Sequence, residues 1–136
     1  MYVFSKNSLS RLQTLDPDLA RVITTAMNFQ VMDFAILCGM RTVQEQEVLF
    51  KTGKSRTLKS KHLPNRNNQS EAIDVAPWPV DWNDHCGFHR LAGVIQAAAA
   101  IENVPLRWGG DWDRDNDTRD QSFIDLPHFE LFRPFL

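Results

Sequence analysis

The order in which helical and extended patterns follow one another constrains this fold more than any other feature of the chain. Asp16-Pro17 makes a helix start, with Asp as N-cap and Pro at the first helical position. Leu19, Val22, Ile23, Ala26 and Met27 follow at helical spacing, which predicts a helix over about 17–28. Phe34-Ala-Ile-Leu-Cys38, short, apolar and bounded by Asp33 and Gly39, predicts a buried strand. Thr42-x-x-Glu45 is a capping box opening a helix that runs up to Gly53, with Val48 and Leu49 on its inner face. Residues 53–71 are polar and predict a long loop, and loops of that length tend to carry function. Ala72-Ile-Asp-Val-Ala-Pro77 predicts a strand with Ala72, Asp74 and Ala76 on one face. A strong helical period over about 84–102 carries Phe88, Leu91, Ile95 and Ala98 on one side, and residues 106–108 and 128–132 predict two further strands. Helices and strands mixed without a regular alternation imply an α+β domain. A chain of 136 residues holds one such domain, spanning 1–136, and no second.

Composition excludes more than it selects. With 24% charged residues and a net charge of -2, the chain lacks the basicity of a nucleic-acid binder. The charge is uneven, however. Lys51, Lys54, Arg56, Lys59, Lys61 and Arg66 fall in one stretch without an acid, whereas residues 111–125 hold six aspartates against Arg114 and Arg119. These are either two solvated loops or a surface that steers a charged substrate. The start, Met-Tyr-Val-Phe-Ser-Lys-Asn, lacks the apolar core of a secretory signal, and no run approaches the roughly 18 apolar residues of a membrane span. Synthesis in the cytoplasm without membrane insertion is the expectation. Cys38 and Cys86 make no disulfide framework, and Cys38, inside an apolar run, is expected to be a buried thiol.

The chemistry concentrates in three places: Ser60-Lys-His62, Ala72-Ile-Asp74 and Asp125-Leu-Pro-His128. Two imidazoles and a carboxylate, His62, Asp74 and His128, form a donor set suited to zinc with a fourth position open for water. Pro127 biases Leu126 toward an extended conformation, so Asp125 can lie over that open position as a base. Cobalt or manganese would accept the same donors.

In that order and combination these residues resemble the signature of the zinc D-alanyl-D-alanine carboxypeptidase / L-alanyl-D-glutamate endopeptidase family, and are most similar to its small single-domain phage endolysins. Gly39-Met-Arg41-Thr-x-x-Glu-Gln46, Leu49-Phe-Lys-Thr-Gly53-Lys-Ser, Asp81-Trp82 and Gly109-Gly-Asp111-Trp112 extend the resemblance along most of the chain. It implies the hedgehog/DD-peptidase fold, a central antiparallel sheet flanked by helices. It also implies zinc held by His62, Asp74 and His128, Asp125 as general base and then acid, and Arg41 on the oxyanion, with Ser60 a weaker candidate for a substrate hydrogen bond. The implied substrate is peptidoglycan, cut at L-alanyl-D-glutamate by a monomeric lysis enzyme. Such an enzyme is made in the host cytoplasm and reaches the periplasm and cell wall through a separate membrane-permeabilising protein. One departure stands out: eleven residues, 63–73, separate His62 from Asp74 without a glycine, where the family keeps a shorter span. The insertion leaves the ligand types intact and leaves open the rim of the site and, with it, the exact substrate.

The same zinc site would serve a D,D- or L,D-carboxypeptidase. A non-catalytic, zinc-stabilised cell-wall binding module is the competitor from another class, disfavoured by Asp125 and Arg41. A virion-associated lysin is compatible with the same residues. Asp111, Asp113, Asp115 and Asp117 alternate as in a calcium loop but lack its glycine and closing glutamate, so solvated turn aspartates are the simpler expectation. His85 and His89, four apart but without the glutamate of a His-Glu-x-x-His helix, are expected to be ordinary helix-end histidines. The tryptophans at 78, 82, 108 and 112 are expected to pack in the core or at its rim. Glu130 either orients a ligand or faces solvent.

Overall fold

Local signals become elements largely where the sequence places them. In the computed structural model, which describes residues 1–133, Asp16 accepts a hydrogen bond from the Asp18 amide (2.9 Å), and Pro17 opens helix α2, Pro17–Asn28. A cap of this kind contributes about 1 kcal/mol. Helix α4, His85–Glu102, starts on Asp84, whose carboxylate accepts from the Gly87 amide. It ends at Asn103 in the left-handed region (φ 57°), which Asn tolerates better than most residues. Four strands, β1 (Phe34–Cys38), β2 (Ala72–Pro77), β3 (Leu106–Trp108) and β4 (His128–Leu131), pair antiparallel in the order β1-β2-β4-β3. The architecture is the expected α+β one.

Strand alternation separates core from chemistry. Ile73 and Val75 of β2 and Phe129 and Leu131 of β4 pack with Leu19, Val22 and Ile23 of α2 and Leu91, Ile95 and Ala98 of α4. Asp74, His128 and Glu130 alternate with those residues and so take the opposite face. There, pairing aligns Cys38 with Asp74 and Asp74 with His128 as one row, and Ala72 with Glu130 and Glu130 with Arg107 as a second.

Cys38 departs from the expected buried thiol. The register slips between Ile36 and Cys38, a bulge that moves Cys38 off the face of Phe34 and Ile36 and sets it, half-buried, against Asp74. Bulges re-aim side chains in this way, and are enriched beside active sites.

Helix α1, Lys6–Leu12, carries no periodicity that announces it. Its role is to cover an edge. The Ser8 hydroxyl accepts from the Ile36 amide (3.0 Å), and Arg11 donates to the Ile36 carbonyl (2.9 Å), occupying the free side of edge strand β1.

Helix α3, Val43–Lys51, has its expected capping box, but its inner face differs. Val48 is 59% exposed and Leu49 only half-buried, while Gln46 is 1% exposed. The helix rests on polar loop rather than on the core. The Gln46 amide donates to the Ser55 hydroxyl (2.9 Å) and the Thr57 carbonyl (2.7 Å) and accepts from Arg41 Nη1 (2.7 Å).

The tryptophans also divide. Trp108 is core and Trp82, though 58% exposed, stacks at the rim on buried Phe88, whereas Trp78 is exposed. Among the described residues, no helix is long and apolar enough to cross a membrane.

Candidate active site

His62 arrives from the loop after α3, and backbone bonds hold it. The Arg41 amide donates to the His62 carbonyl (2.8 Å), and the His62 amide donates to the Ser60 hydroxyl (3.1 Å). Buried Ser70 ties the returning chain to the Gly39 and Ala72 carbonyls. The ring thus meets the Asp74–His128 row from above the sheet.

Three donor atoms converge. His62 Nε2 lies 3.2 Å from Asp74 Oδ1 and 3.3 Å from His128 Nδ1, and His128 Nδ1 lies 3.2 Å from Asp74 Oδ1. A tetrahedral zinc site with arms of about 2.0 Å has edges of about 3.3 Å, so this triangle fits three of its corners. The outer ring nitrogens are taken as well: His62 Nδ1 lies 2.8 Å from the Gly39 carbonyl, and His128 Nε2 lies 2.9 Å from Glu130 Oε1. Both outer partners are acceptors, so each outer nitrogen donates and each neutral ring presents a lone pair inward. Two imidazole lone pairs and a carboxylate oxygen facing one another require a cation between them.

Protons are the alternative occupant, and the electrostatics show it. Burial opposes charge on His62, but the Asp74 carboxylate and the neighbouring Cys38 outweigh it and push the imidazole up to about 10. His128 rises for the same reason, with burial opposing and Asp74 and Glu130 prevailing. Asp74 is held far below the usual carboxylate range despite its burial, because both imidazoles donate to it.

Glu130 is the main residue whose role spacing could not reveal. It is buried beside His128, with Arg107 Nη2 at 2.9 Å and Lys61 Nζ at 3.7 Å, and His128 and Arg107 overcome desolvation to bring it down to about 2. Glu130→Gln should keep the fold and weaken zinc affinity about 10–100-fold, measured by competition with a chromogenic chelator. Unchanged affinity would show that His128 needs no partner.

Asp125 stands next to this triangle. Its amide donates to the Gly109 carbonyl (2.8 Å), its carbonyl accepts from the His128 amide (3.1 Å), and its carboxylate accepts no hydrogen bond among the described residues. Burial raises its pKa, with His128, His62 and Arg41 pulling the other way and Asp74 adding to the rise. Gly109 lets it come this close, since a Cβ there would overlap the Asp125 carbonyl and meet its Cβ at 2.9 Å. Gly109→Ala should therefore displace Asp125 and lower turnover more than it lowers the melting temperature. Equal losses in both would point to general damage.

Arg41 is mostly buried and reaches the same place. Its Nη2 lies 3.7 Å from both Asp74 Oδ2 and Cys38 Sγ, while Gln46 fixes its other arm. Cys38, His62 and Asp74 can also place one donor atom each within 4.8 Å of one another. Cys38 Sγ, however, approaches His62 at Nδ1 (3.7 Å), the nitrogen already facing Gly39, so the inward triangle is the better metal seat.

These groups open into a cleft of about 410 Å³ that Lys54, Arg56, Lys59, Lys61 and Arg107 also line. Trp112 leans over His128 (5.4 Å) and stacks on Phe123, over which Arg56 lies at 4.4 Å. None of the residues 63–71 lines the cleft. That insertion is a turn closed by Asn65 and Gln69 and fastened through Ser70 to Thr14 and Asp16. The rim comes instead from residues 54–61 and 112–125.

Asp111, Asp113 and Asp115 gather their carboxylates within 4.8 Å, whereas Asp117 is outside that group and bonds Arg119 instead. Burial raises Asp111, which accepts the amides of Asp115 and Asn116, and these bonds shape the turn. His85 and His89 lie outside every metal-capable group among the described residues, and His89 packs edge-on against Trp108.

A family model described as phage L-alanyl-D-glutamate peptidase matches residues 1–132. The chain belongs to that family. The L-alanyl-D-glutamate peptidase of Escherichia phage T5 is 32% identical over 139 residues, covering 96% of this chain and 98% of the relative. Among solved structures, the Serratia marcescens L-Ala D-Glu endopeptidase ChiX is similar with a TM-score of 0.75 and 28% identity, over 96% of this family member and 90% of ChiX.

Proposed function

We propose that this chain is a zinc-dependent peptidase that hydrolyses the L-alanyl-D-glutamate bond of peptidoglycan stem peptides as a phage endolysin. One observation carries the reading: three lone-pair donors converge beside an uncommitted carboxylate, in a chain whose family and relatives are named for that bond. Zinc seated by His62, Asp74 and His128 would supply a Lewis acid and make water a nucleophile near neutral pH. Asp125 takes a proton from the attacking water and returns it to the leaving nitrogen as the C–N bond breaks. Its raised pKa suits both halves of that exchange. Arg41, fixed by Gln46, sets positive charge where the scissile carbonyl oxygen becomes an oxyanion. The Ser60 hydroxyl accepts from the His62 amide and keeps its proton for substrate. The enzyme acts on the wall as a monomer, reaching it after a separate protein opens the membrane.

Digestion of purified sacculi by the zinc-loaded protein, with a chelated control and mass-spectrometric readout, tests this directly. The expected products are glycan carrying only L-alanine and free peptides that begin at D-glutamate. Loss of terminal D-alanine alone would move the reading to a carboxypeptidase. Absence of any metal-dependent product would favour the wall-binding module.

A further inference from the structure

A second cavity, of about 550 Å³, also reaches Asp125, and its character is opposite to that of the cationic cleft. Trp82, Phe88, Ile124, Leu126 and Pro127 make up half of the residues in its wall, His85 and His89 also line it, and Asp125 is its one carboxylate. Trp82 is 58% exposed and Ile124 57%, although both are large and apolar. Trp82 lies flat on Phe88, with ring centroids 5.7 Å apart and planes at 15°, so packing fixes one face of the indole and leaves the other to the opening. The cleft, in contrast, collects Arg41, Lys54, Arg56, Lys59, Lys61 and Arg107 in a chain whose net charge is -2.

An L-alanyl-D-glutamate bond is itself polarised. On the amine side, glutamate sets a free α-carboxylate next to the scissile nitrogen, and further carboxylates follow along the stem. On the acyl side lie the alanine methyl, the lactyl methyl and the C–H faces of a muramic acid ring, none of them charged. Carboxylates are stabilised by the cationic cleft and would be desolvated without a partner in the apolar cavity. Methyls and C–H faces gain from burial against an aromatic wall.

We propose that the Trp82–Ile124 cavity is the subsite for the muramoyl-L-alanyl half of the substrate, with the carboxylate-bearing half in the cationic cleft. Resting on the peptidase reading above, this assigns the two halves to two surfaces that meet at Asp125. Trp82 is then a specificity-determining residue with no part in the chemistry.

The test compares N-acetylmuramoyl-L-Ala-D-Glu with N-acetyl-L-Ala-D-Glu as substrates of the zinc-loaded protein. The wild type should favour the muramoyl substrate in kcat/KM by about tenfold. Trp82→Ala should bring that ratio close to one, and Trp82→Phe should restore most of it. Lys59→Ala should weaken both substrates and leave the ratio unchanged. A ratio unaffected by Trp82→Ala overturns the subsite. Binding of the product N-acetylmuramoyl-L-alanine, followed by tryptophan fluorescence, gives a readout independent of turnover. Saturable binding that Trp82→Ala abolishes supports the subsite, and no binding to the wild type overturns it. Failure of the peptidase reading looks different: neither substrate is cleaved by any variant.

Discussion

Asp125→Ala should retain one zinc per chain and lose turnover by about 10²–10⁴-fold, the usual contribution of a positioned acid–base group. Among the described residues its carboxylate bonds no other side chain, and its backbone ties to Gly109 and His128 survive the substitution, so the triangle of donors stays in place. His128→Ala removes one corner of that triangle, and should lose zinc and turnover together. Metal content by mass spectrometry, measured beside kcat on a muropeptide, separates the two outcomes. An Asp125→Ala protein with full activity would end its assignment as base. Burial raises Asp125 in the metal-free protein, so its carboxyl group should titrate there above its ordinary value, as followed by carbon NMR.

The metal-free protein should show a second, equally large effect in its stability against pH. His62 rises from 6.5 to about 10 on folding, so its contribution is complete below 6.5 and is lost as pH climbs through 10. Glu130 falls from 4.5 to about 2, so its contribution is complete above 4.5 and is lost as pH drops through 2. Asp74 behaves as Glu130 does. Metal-free stability from these groups is therefore greatest between 4.5 and 6.5 and declines on the alkaline side. Zinc seated there would displace the protons, and its affinity should rise about tenfold per pH unit for each proton released. Melting curves at pH 6 and pH 9, with and without zinc, should diverge as pH rises. Parallel curves would mean that the imidazoles do not share the seat with protons.

Much of this architecture was legible because short-range chemistry fixes it. Asp16-Pro17, the Thr42–Glu45 box and the alternation of 72–77 each name their own boundary with one or two residues. The ligand set was a different matter. Asp74 meets His128 through the pairing of β2 with β4, and His62 joins them through the backbone ties of its loop to Arg41 and Glu71, none of which a single sequence displays; only the ordered resemblance to a family pointed to them. The misses share a cause. Cys38 turns on a one-residue bulge, α1 exists to cover a strand edge, and Gln46 is buried by partners nine and eleven residues away and by Arg41. In each case a long-range or polar partner overrode the apolar pattern that periodicity detects. Glu130 stayed ambiguous because a carboxylate on an alternating strand reads the same whether its face meets water or a histidine.

The two faces of β2 and β4 make core and catalyst inseparable along the chain. Shifting 128–131 by one residue would bury His128 and Glu130 among the leucines and send Phe129 and Leu131 to the cleft. Substitution can thus explore this sheet one side chain at a time, but insertion and deletion cannot touch it without erasing both halves at once. Length variation is left to the connections, and the extra turn at 63–71, clamped at both ends and clear of the cleft, is what such permitted variation looks like. Change in the loops 54–61 and 112–124 alters the walls of the cleft, while the strands hold Asp74 and His128 in place.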